Sequence, residues 1–424
     1  MLSTQTRKLV GLLERILPQN EFYRKKLGEG FQLNPVEDLQ GSPERILDRL
    51  PFTTKAELEK DQEKHPPFGT NVTFPLQSYS RVHQTSGSTG RPLWWLDTRE
   101  SWNWCLRMWE EVYRGVGLSP EDRIFFPFSF GPFLGFWAAF DRGCLAGNLC
   151  IPAGGMSTLA RLRVLMEAQA TVVVATPTYV LRMAEVARAE GIDLGGSAVR
   201  ALIVAGEPGG SVLSIKERME SAWKARSFDH SGMTEVGPFG FECVECPGGL
   251  HVIEEEFIVE VVSPVTGKRL PEGGEGELVL TNLGRFGSPL LRYRTGDLVR
   301  WSLRECPCGR VTGRLVGGIL SRLDDMVYVR GNNVYPAAVE GALRQFPEVV
   351  EYRIRLVHSR EMTALRVEIE PLQGLGGEDA EALAARVGSF LEKTFFFRVE
   401  VACVEPGSLP RFEMKGKRFL KNDS

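Results

Sequence analysis

The sequence predicts an α/β protein with three parts: a large N-terminal domain of mixed, mainly parallel sheets, a small antiparallel barrel-like subdomain, and a small C-terminal α+β lid domain. Up to about residue 229, short apolar runs alternate with amphipathic helices, as in strands covered on both faces of a parallel sheet. Beyond residue 237, short strands are separated by Gly/Pro turns, which favours antiparallel pairing. A third pattern of strands and helices begins near residue 321. These changes predict an N-terminal domain at 1–321 and a lid at 326–424, with the segment 322–325 between them.

Individual elements can be predicted in chain order from their periodicity. An amphipathic helix is expected from the N-terminus to about Leu17. In the N-terminal domain, helices are predicted at 98–114, 157–169 and 177–190, and strands at 123–126, 171–175, 201–205, 257–263, 277–281, 291–294 and 298–301. In the lid, strands are predicted at 326–329, 351–357, 363–369 and 398–404, and helices at 336–345 and 379–393.

Composition excludes several classes of protein. The 424 residues are 43% hydrophobic and 25% charged, the balance of an ordinary globular protein. A net charge of −3 with scattered Lys and Arg argues against nucleic acid as a partner. The uncharged stretch at 125–140 is too short to span a bilayer, and the N-terminus lacks the apolar segment of a signal peptide. We therefore expect a cytoplasmic protein without a membrane partner.

A phosphate-binding loop is predicted at residues 83–92, which read His-Gln-Thr-Ser-Gly-Ser-Thr-Gly-Arg-Pro. Glycines let successive backbone N–H groups converge on one anion, and the neighbouring hydroxyls add further donors. The segment lacks the Gly-Lys-Ser/Thr of a Walker A loop, and a Ser/Gly-rich surface turn is the alternative. The candidate phosphate-binding residues are Thr85, Ser86, Gly87, Ser88, Thr89 and Gly90.

Further motifs follow this loop in a fixed order. They are Asp-His-Ser-Gly-Met-Thr-Glu at 229–235, Tyr-Arg-Thr-Gly-Asp at 293–297, Ser-Arg-Leu-Asp-Asp at 321–325, and Leu-Pro-Arg at 409–411 with Lys415 after it. Together the motifs resemble those of the acyl-adenylate-forming superfamily, over residues from about 80 to 418. The segments at 204–208, 306–310 and 329–336 make the chain most similar to the phenylacetate–CoA ligase-like group.

The resemblance implies an activity and its substrates. Such an enzyme activates a carboxylic acid with ATP and Mg²⁺ as an acyl-AMP, and then transfers the acyl group to coenzyme A, releasing AMP and pyrophosphate. It also implies a possible homodimer. Two other functions stay open: loading of a carrier-protein pantetheine, and a catalytically silent sensor that binds nucleotides or acyl adenylates.

The resemblance also assigns roles around the nucleotide. Glu235 would position magnesium, Thr234 would donate to phosphate, and Asp297 would accept both ribose hydroxyls, assisted by Arg322. A carboxylate suits the ribose because it accepts two hydrogen bonds without donating. Ser231 stands where the superfamily usually has an aromatic residue. Adenine would lie between two segments, which comprise Gly206, Glu207, Pro208, Asp229, His230 and Ser231.

The lid would supply the remaining groups. Lys415 is aligned with the family's catalytic lysine, which bridges the incoming carboxylate and the α-phosphate, with Lys417 as the competing candidate. Asp324 occupies the place of the superfamily's hinge. Rotation about it would exchange Lys415 for a coenzyme A-side loop of Arg330, Gly331, Asn332 and Asn333.

Four cysteines and a histidine suggest a metal site. Cys243 and Cys246 precede His251, and Cys306 and Cys308 follow some 55 residues later. Paired ligands at short spacing indicate a tetrahedral structural zinc site, with free cysteines in loops as the alternative. The resemblance favours Cys243, His251, Cys306 and Cys308 as ligands, with Cys246 as an alternative.

The acid pocket is expected beside the phosphate loop. An uncharged run with phenylalanines at 126, 128, 130, 133 and 136 favours an aromatic or other apolar acid, although core packing alone explains most of these rings. The candidate lining residues are Phe130, Phe133, Gly206, Met233 and Gly237.

Overall fold

The computed structural model describes residues 2–28, 30–85, 92–329, 332–359, 362–375, 377–412 and 416–420. The chain begins with helices that pack beside the large sheet. The first ends at Ile16, close to the predicted boundary, and buries Leu9, Leu12 and Leu13. These helices are α1 (Leu2–Ile16), α2 (Glu21–Leu27), α3 (Pro35–Gln40), α4 (Pro43–Leu47) and α5 (Lys55–Lys64).

A hairpin and a parallel sheet follow. The elements are β1 (Tyr79–Gln84), β2 (Trp94–Thr98), α6 (Arg99–Val116), β3 (Arg123–Phe126), α7 (Gly135–Leu145), β4 (Leu149–Pro152), α8 (Thr158–Glu167), β5 (Val172–Ala175), α9 (Pro177–Ala189), β6 (Ala201–Val204), α10 (Leu213–Trp223) and β7 (Arg226–Met233). Strands β4, β3, β5, β6 and β7 pair in parallel in that order. All residues of β5 and β6 are buried, as their uninterrupted apolar sequences predict.

Helix α6 shows how local sequence sets these boundaries. The Thr98 hydroxyl accepts a hydrogen bond from the backbone N–H of Ser101 and caps the first turn. Gly117 ends the helix in the left-handed region. Between these ends the helix buries the aromatic side chains of Trp102, Trp109 and Tyr113 in the core.

The antiparallel strands continue the same sheet, because β7 pairs antiparallel with the next strand. They are β8 (Gly237–Phe241), β9 (Gly249–Val252), β10 (Phe257–Val262), β11 (Glu275–Asn282), β12 (Tyr293–Ser302), β13 (Arg314–Val316) and β14 (Ser321–Arg322), in the order β8-β9-β13-β12-β11-β10 with β14 on β12. The prediction of two strands at 291–294 and 298–301 was wrong. They form the single strand β12, which bulges where Thr295, Gly296 and Asp297 face Leu278 of β11, and Gly296 has a positive φ of 75° there.

The C-terminal part has its own sheet and core. Its elements are β15 (Val327–Val329), β16 (Asn332–Val334), α11 (Pro336–Leu343), β17 (Val349–Ser359), β18 (Met362–Pro371), α12 (Glu378–Phe395), β19 (Glu400–Cys403) and β20 (Phe419–Leu420). The larger sheet has the order β19-β18-β17-β20, and α11 and α12 bury Leu343, Leu383 and Leu391 in a separate apolar cluster. The predicted order of elements is present; β16 and β20 were not predicted.

The α/β class, with a large mixed sheet and a small C-terminal sheet domain, is therefore confirmed. The carboxyl end of β6 lies beside the middle of β7, where Val204 pairs with Asp229. Ligands of open α/β sheets bind at such ends. Among the described residues, no helix combines the length and apolar character needed to cross a bilayer.

Candidate active site

The predicted phosphate loop connects β1 to β2. The two strands form an antiparallel hairpin in which Gln84 pairs with Trp94. Thr85 closes the base of the loop: its backbone N–H donates to the Leu93 carbonyl and its hydroxyl accepts from the Leu93 N–H, at 3.0 and 2.9 Å. The candidates Ser86, Gly87, Ser88, Thr89 and Gly90 lie outside the described residues.

A buried ion pair connects this hairpin to the predicted magnesium segment. Arg285 donates from Nε and Nη2 to the two carboxylate oxygens of Asp97 on β2, at 2.8 and 2.6 Å. Its Nη1 donates to the backbone carbonyls of Thr234 and Glu235, at 2.7 and 2.9 Å. Burial raises the pKa of Asp97, but Arg285 and His83 outweigh that effect and hold it at about 2. One guanidinium thus fixes the backbone of Thr234 and Glu235 relative to the phosphate hairpin.

The predicted ribose-binding carboxylate lies near the predicted magnesium ligand. The Tyr293 hydroxyl, at the start of β12, is 3.5 Å from Oε1 of Glu235, and Asp297 is on the same strand. Burial raises the pKa of Asp297 to about 6, and Arg322 offsets this only in part. Nη1 of Arg322 donates to Asp297 at 3.1 Å, while its Nε and Nη2 donate to the hinge candidate Asp324 at 2.9 and 3.0 Å.

The two predicted adenine segments meet where the carboxyl end of β6 lies beside β7. The Ser211 hydroxyl donates to Asp229, and a Cβ on Gly210 would lie 2.3 Å from an Asp229 oxygen, so only glycine fits there. Burial raises the pKa of Asp229 to about 6. His230 Nδ1 lies 2.7 Å from the Gly240 carbonyl, and burial lowers the pKa of His230 to about 4, so its imidazole is neutral and protonated at Nδ1.

The C-terminal tail contacts the same end of the molecule. The Glu207 side chain accepts from the backbone N–H of Gly416 at 2.9 Å, next to the exposed Gly206 and Pro208. Lys415, Arg330 and Gly331 lie outside the described residues. Lys417, the competing candidate, is exposed, and Asn332 and Asn333 are described by their backbone in β16.

The aromatic run forms a cluster beside the phosphate hairpin. Phe126 and Phe128 are buried in the core, whereas Phe130 is partly exposed and its ring centroid is 4.5 Å from that of Trp137. The backbone N–H of Gln84 donates to the Pro132 carbonyl, which holds the run against the hairpin. Of the other pocket candidates, Phe133 is 38% exposed, Met233 is half-buried and Gly237 is buried.

The predicted zinc ligands converge. The ligand atoms of Cys243, His251, Cys306 and Cys308 all lie within 4.8 Å of one another, with Sγ of Cys243 3.6 Å from Sγ of Cys306 and Sγ of Cys308 3.5 Å from Nε2 of His251. Tetrahedral zinc with Zn–S bonds of 2.3 Å separates its sulfurs by about 3.8 Å. The arrangement therefore fits a zinc ion, although the metal itself stays a prediction.

The hydrogen bonds around the cluster orient its histidine. Nδ1 of His251 lies 3.2 Å from the Thr312 hydroxyl, which leaves Nε2 for a metal. Cys246, the alternative ligand, is outside the group of four, and its Sγ accepts from Nη1 of Arg314 at 2.7 Å.

Comparison with known proteins identifies the family. The family described as AMP-binding enzyme matches residues 27–285, and the one described as AMP-binding enzyme C-terminal domain matches residues 331–422. The phenylacetate-coenzyme A ligase of Thermus thermophilus is 32% identical over 96% of this chain and 93% of its own length. The chain belongs to the AMP-binding enzyme family. The corresponding ligase of Escherichia coli K12 is 28% identical over 98% of this chain and 93% of its own length. The predicted phenylacetate–CoA ligase-like group is confirmed, and with it the predicted class, an AMP-forming acyl-CoA ligase.

Solved structures separate two arrangements of this AMP-binding fold. 2-Hydroxyisobutyryl-CoA ligase in the postadenylation state, with 2-HIB-AMP, matches with a TM-score of 0.92 at 29% identity, covering 99% of this chain and 89% of the other. The same enzyme in the thioesterification state, with 2-HIB-AMP and CoA, matches with a TM-score of 0.72 at 30% identity and 98% and 89% coverage. Because identity and coverage are nearly equal, the difference reflects how the parts of the molecule are arranged. The arrangement of this chain is more similar to that of the postadenylation-state structure.

The Asp97–Arg285 pair is the part of the site that sequence reasoning missed. Its partners are separated by 188 residues, and Arg285 lies in a loop that belongs to none of the recognised motifs. The one signal was an arginine in an otherwise uncharged segment between two predicted strands. Its total burial could not be inferred from composition.

Proposed function

We propose that this AMP-forming ligase activates an aromatic or other apolar carboxylic acid. In the first half-reaction the acid's carboxylate oxygen bonds to the α-phosphorus of ATP and pyrophosphate leaves. In the second, the coenzyme A thiol, losing its proton, attacks the acyl carbon and AMP leaves. The observation that supports this best is that Glu235 lies beside Tyr293, on the strand that carries Asp297, and that the Asp97–Arg285 pair joins the Glu235 backbone to the phosphate hairpin.

The chemistry requires charge neutralisation, since one anion approaches another. Glu235 is the group we propose for magnesium, which would offset the phosphate charge when bound, and Thr234 would donate to a phosphate oxygen. Asp297 and Arg322 would hold the ribose. Lys415 would bridge the reacting carboxylate and the α-phosphate, an assignment that rests on the aligned motif.

The apolar acid is inferred from the cluster around Phe130 and Trp137, which offers ring faces and edges. Relatives named phenylacetate-coenzyme A ligase make phenylacetate the first acid to test. A structural zinc ion at the cluster of Cys243, His251, Cys306 and Cys308, a homodimeric state and a cytoplasmic location are further proposals.

An acid panel tests the function directly. The protein is mixed with ATP, Mg²⁺, coenzyme A and phenylacetate, benzoate, 2-hydroxyisobutyrate or acetate, and AMP and thioester are measured. We expect both products with an aryl acid and far less with acetate. Pyrophosphate exchange without thioester would favour carrier-protein loading, and no AMP with any acid would contradict the proposal.

A further inference from the structure

The Glu207 carboxylate connects the C-terminal tail to the N-terminal domain, where Arg411 of the tail also lies 3.6 Å from Glu185. Oε2 of Glu207 accepts from the backbone N–H of Gly416 at 2.9 Å, and Oε1 accepts from the backbone N–H of Thr178 at 2.7 Å. The Thr178 hydroxyl in turn accepts from Nη1 of Arg418 at 3.0 Å. Glu207 and Thr178 thus contact both ends of the segment 416–418, more than 200 residues away in sequence.

The residue type suits this double contact. A carboxylate offers acceptors on both oxygens, so Glu207 can satisfy one N–H from each domain, whereas a glutamine has one acceptor oxygen. Thr178 is in the first turn of α9, where the unpaired N–H groups of a helix favour a negative charge. Hydrogen bonds from such N–H groups to a charged acceptor are stronger than those between neutral groups.

The contact with Gly416 matters because this residue is next to Lys415 in the sequence. A hydrogen bond to the Gly416 N–H therefore restrains the peptide unit that joins the two residues. We propose that Glu207 is a positioning residue for adenylation, which acts through Gly416 to place Lys415 at the α-phosphate. This inference rests on the role proposed for Lys415. It also gives Glu207 a different role from the one predicted from the sequence, which placed it beside adenine.

The contact should serve only the first half-reaction. The arrangement of the chain is more similar to that of the postadenylation-state structure, and the thioesterification state of the same relative matches much less well. Movement of the tail between the two would separate Gly416 from Glu207. Loss of the carboxylate should therefore slow adenylation and spare thioester formation.

The test compares Glu207→Ala and Glu207→Gln with Glu190→Gln, an exposed glutamate at the end of α9. Adenylation is followed as phenylacetate-dependent pyrophosphate exchange, and thioester formation as the reaction of phenylacetyl adenylate with coenzyme A. We expect Glu207→Ala to lower adenylation about 10- to 100-fold, as for loss of one charge-assisted hydrogen bond. Glu207→Gln should fall between it and the wild type. Thioester formation should change by less than about threefold, and Glu190→Gln should match the wild type in both.

A double variant separates positioning from a merely structural role. If Glu207 acts through Lys415, Glu207→Ala should cost little more once Lys415→Ala is present, because coupled residues are not additive. Three results for Glu207→Ala would overturn the inference. They are equal losses in both half-reactions, a higher KM for phenylacetyl adenylate, and a loss in the double variant equal to the sum of the two single losses in free energy.

Hydrogen exchange gives a readout that does not depend on activity. The Gly416 amide should exchange faster in Glu207→Ala than in the wild type and be unchanged in Glu190→Gln. Unchanged exchange in Glu207→Ala would contradict the contact itself. Wild-type protein that makes no AMP with any acid would instead refute the proposed function, so the two failures can be told apart.

Discussion

Asp297 is a buried carboxylate whose ionisation should be visible in nucleotide binding. Burial raises its pKa to about 6, and the ribose hydroxyls are expected to donate to its ionised form. The ionised form predominates above pH 6 and is lost as the pH falls through 6. The KM for ATP should therefore rise below pH 6, by roughly tenfold per pH unit if only the carboxylate binds.

The matched variant is Asp297→Asn, measured as KM for ATP between pH 5 and 8. It should bind ATP weakly at every pH and lose the part of the pH dependence that Asp297 contributes. Asp229 also has a pKa raised to about 6, so any dependence that remains in Asp297→Asn is assigned to Asp229. Identical profiles for wild type and Asp297→Asn would exclude the ribose role.

At the scale of elements, the Asp97–Arg285 pair joins a hairpin, the end of β7 and the loop after β11. Both side chains are fully buried, so removing one partner leaves a charge without its counter-ion in the core. Arg285→Met should lower the free energy of unfolding by about 3–5 kcal/mol. Urea denaturation followed by circular dichroism measures this.

The control for Arg285→Met is Arg300→Met, which breaks the exposed ion pair with Glu275 on neighbouring strands. Exposed pairs contribute at most about 1 kcal/mol, so this variant should unfold close to the wild type. If the two variants unfolded at the same urea concentration, the buried Asp97–Arg285 pair would contribute no more to stability than the exposed pair.

The cysteine cluster connects the loop after β8, strand β9 and the loop between β12 and β13. Protein purified without chelator should contain about one zinc per chain, because the four ligand atoms are already at tetrahedral spacing. Cys306→Ser should reduce this to less than about half a zinc and lower the Tm. Atomic absorption and thermal unfolding give the two measurements.

Cys246→Ser is the matched control for the zinc site, because the Cys246 sulfur is hydrogen-bonded to Arg314 outside the group of four. It should keep its zinc. Zinc lost from Cys246→Ser but retained by Cys306→Ser would reverse the ligand assignment.

Sequence patterns predicted the elements that follow regular periodicity, and missed those that depend on partners distant in the chain. Strand β3 was predicted to the residue, since a short apolar run between turns leaves few alternatives. Strand β12 was predicted as two strands because Gly296 resembles a turn, whereas its partner β11 keeps it in one ladder. The Glu207–Gly416 contact was missed because a backbone N–H leaves no trace in side-chain patterns.

At the scale of the whole molecule, we propose that the C-terminal part moves between the two half-reactions. Asp324 is the proposed pivot, and proline there would fix φ and restrict the preceding residue. Asp324→Pro should slow thioester formation at least about tenfold more than adenylation, because only the second step follows the rotation. Separate assays of the two half-reactions measure the difference.

Asp324→Ala distinguishes the backbone from the side chain at the pivot. It removes the hydrogen bonds to Arg322 and leaves the backbone free to rotate. We expect its two half-reactions to stay within about threefold of each other. Slowing of both half-reactions to the same extent by Asp324→Pro would dismiss the pivot.

Arg322 divides its N–H groups between Asp297, the proposed ribose ligand, and Asp324, the proposed pivot. A bound ribose would compete for Asp297 and weaken its hydrogen bond with Arg322. A rotation that displaces Asp324 would weaken the hydrogen bonds between Asp324 and Arg322. Thermodynamic reciprocity requires each event to alter the free energy of the other by the same amount. The affinity for AMP would then differ before and after the rotation, and this difference would favour one order of product release.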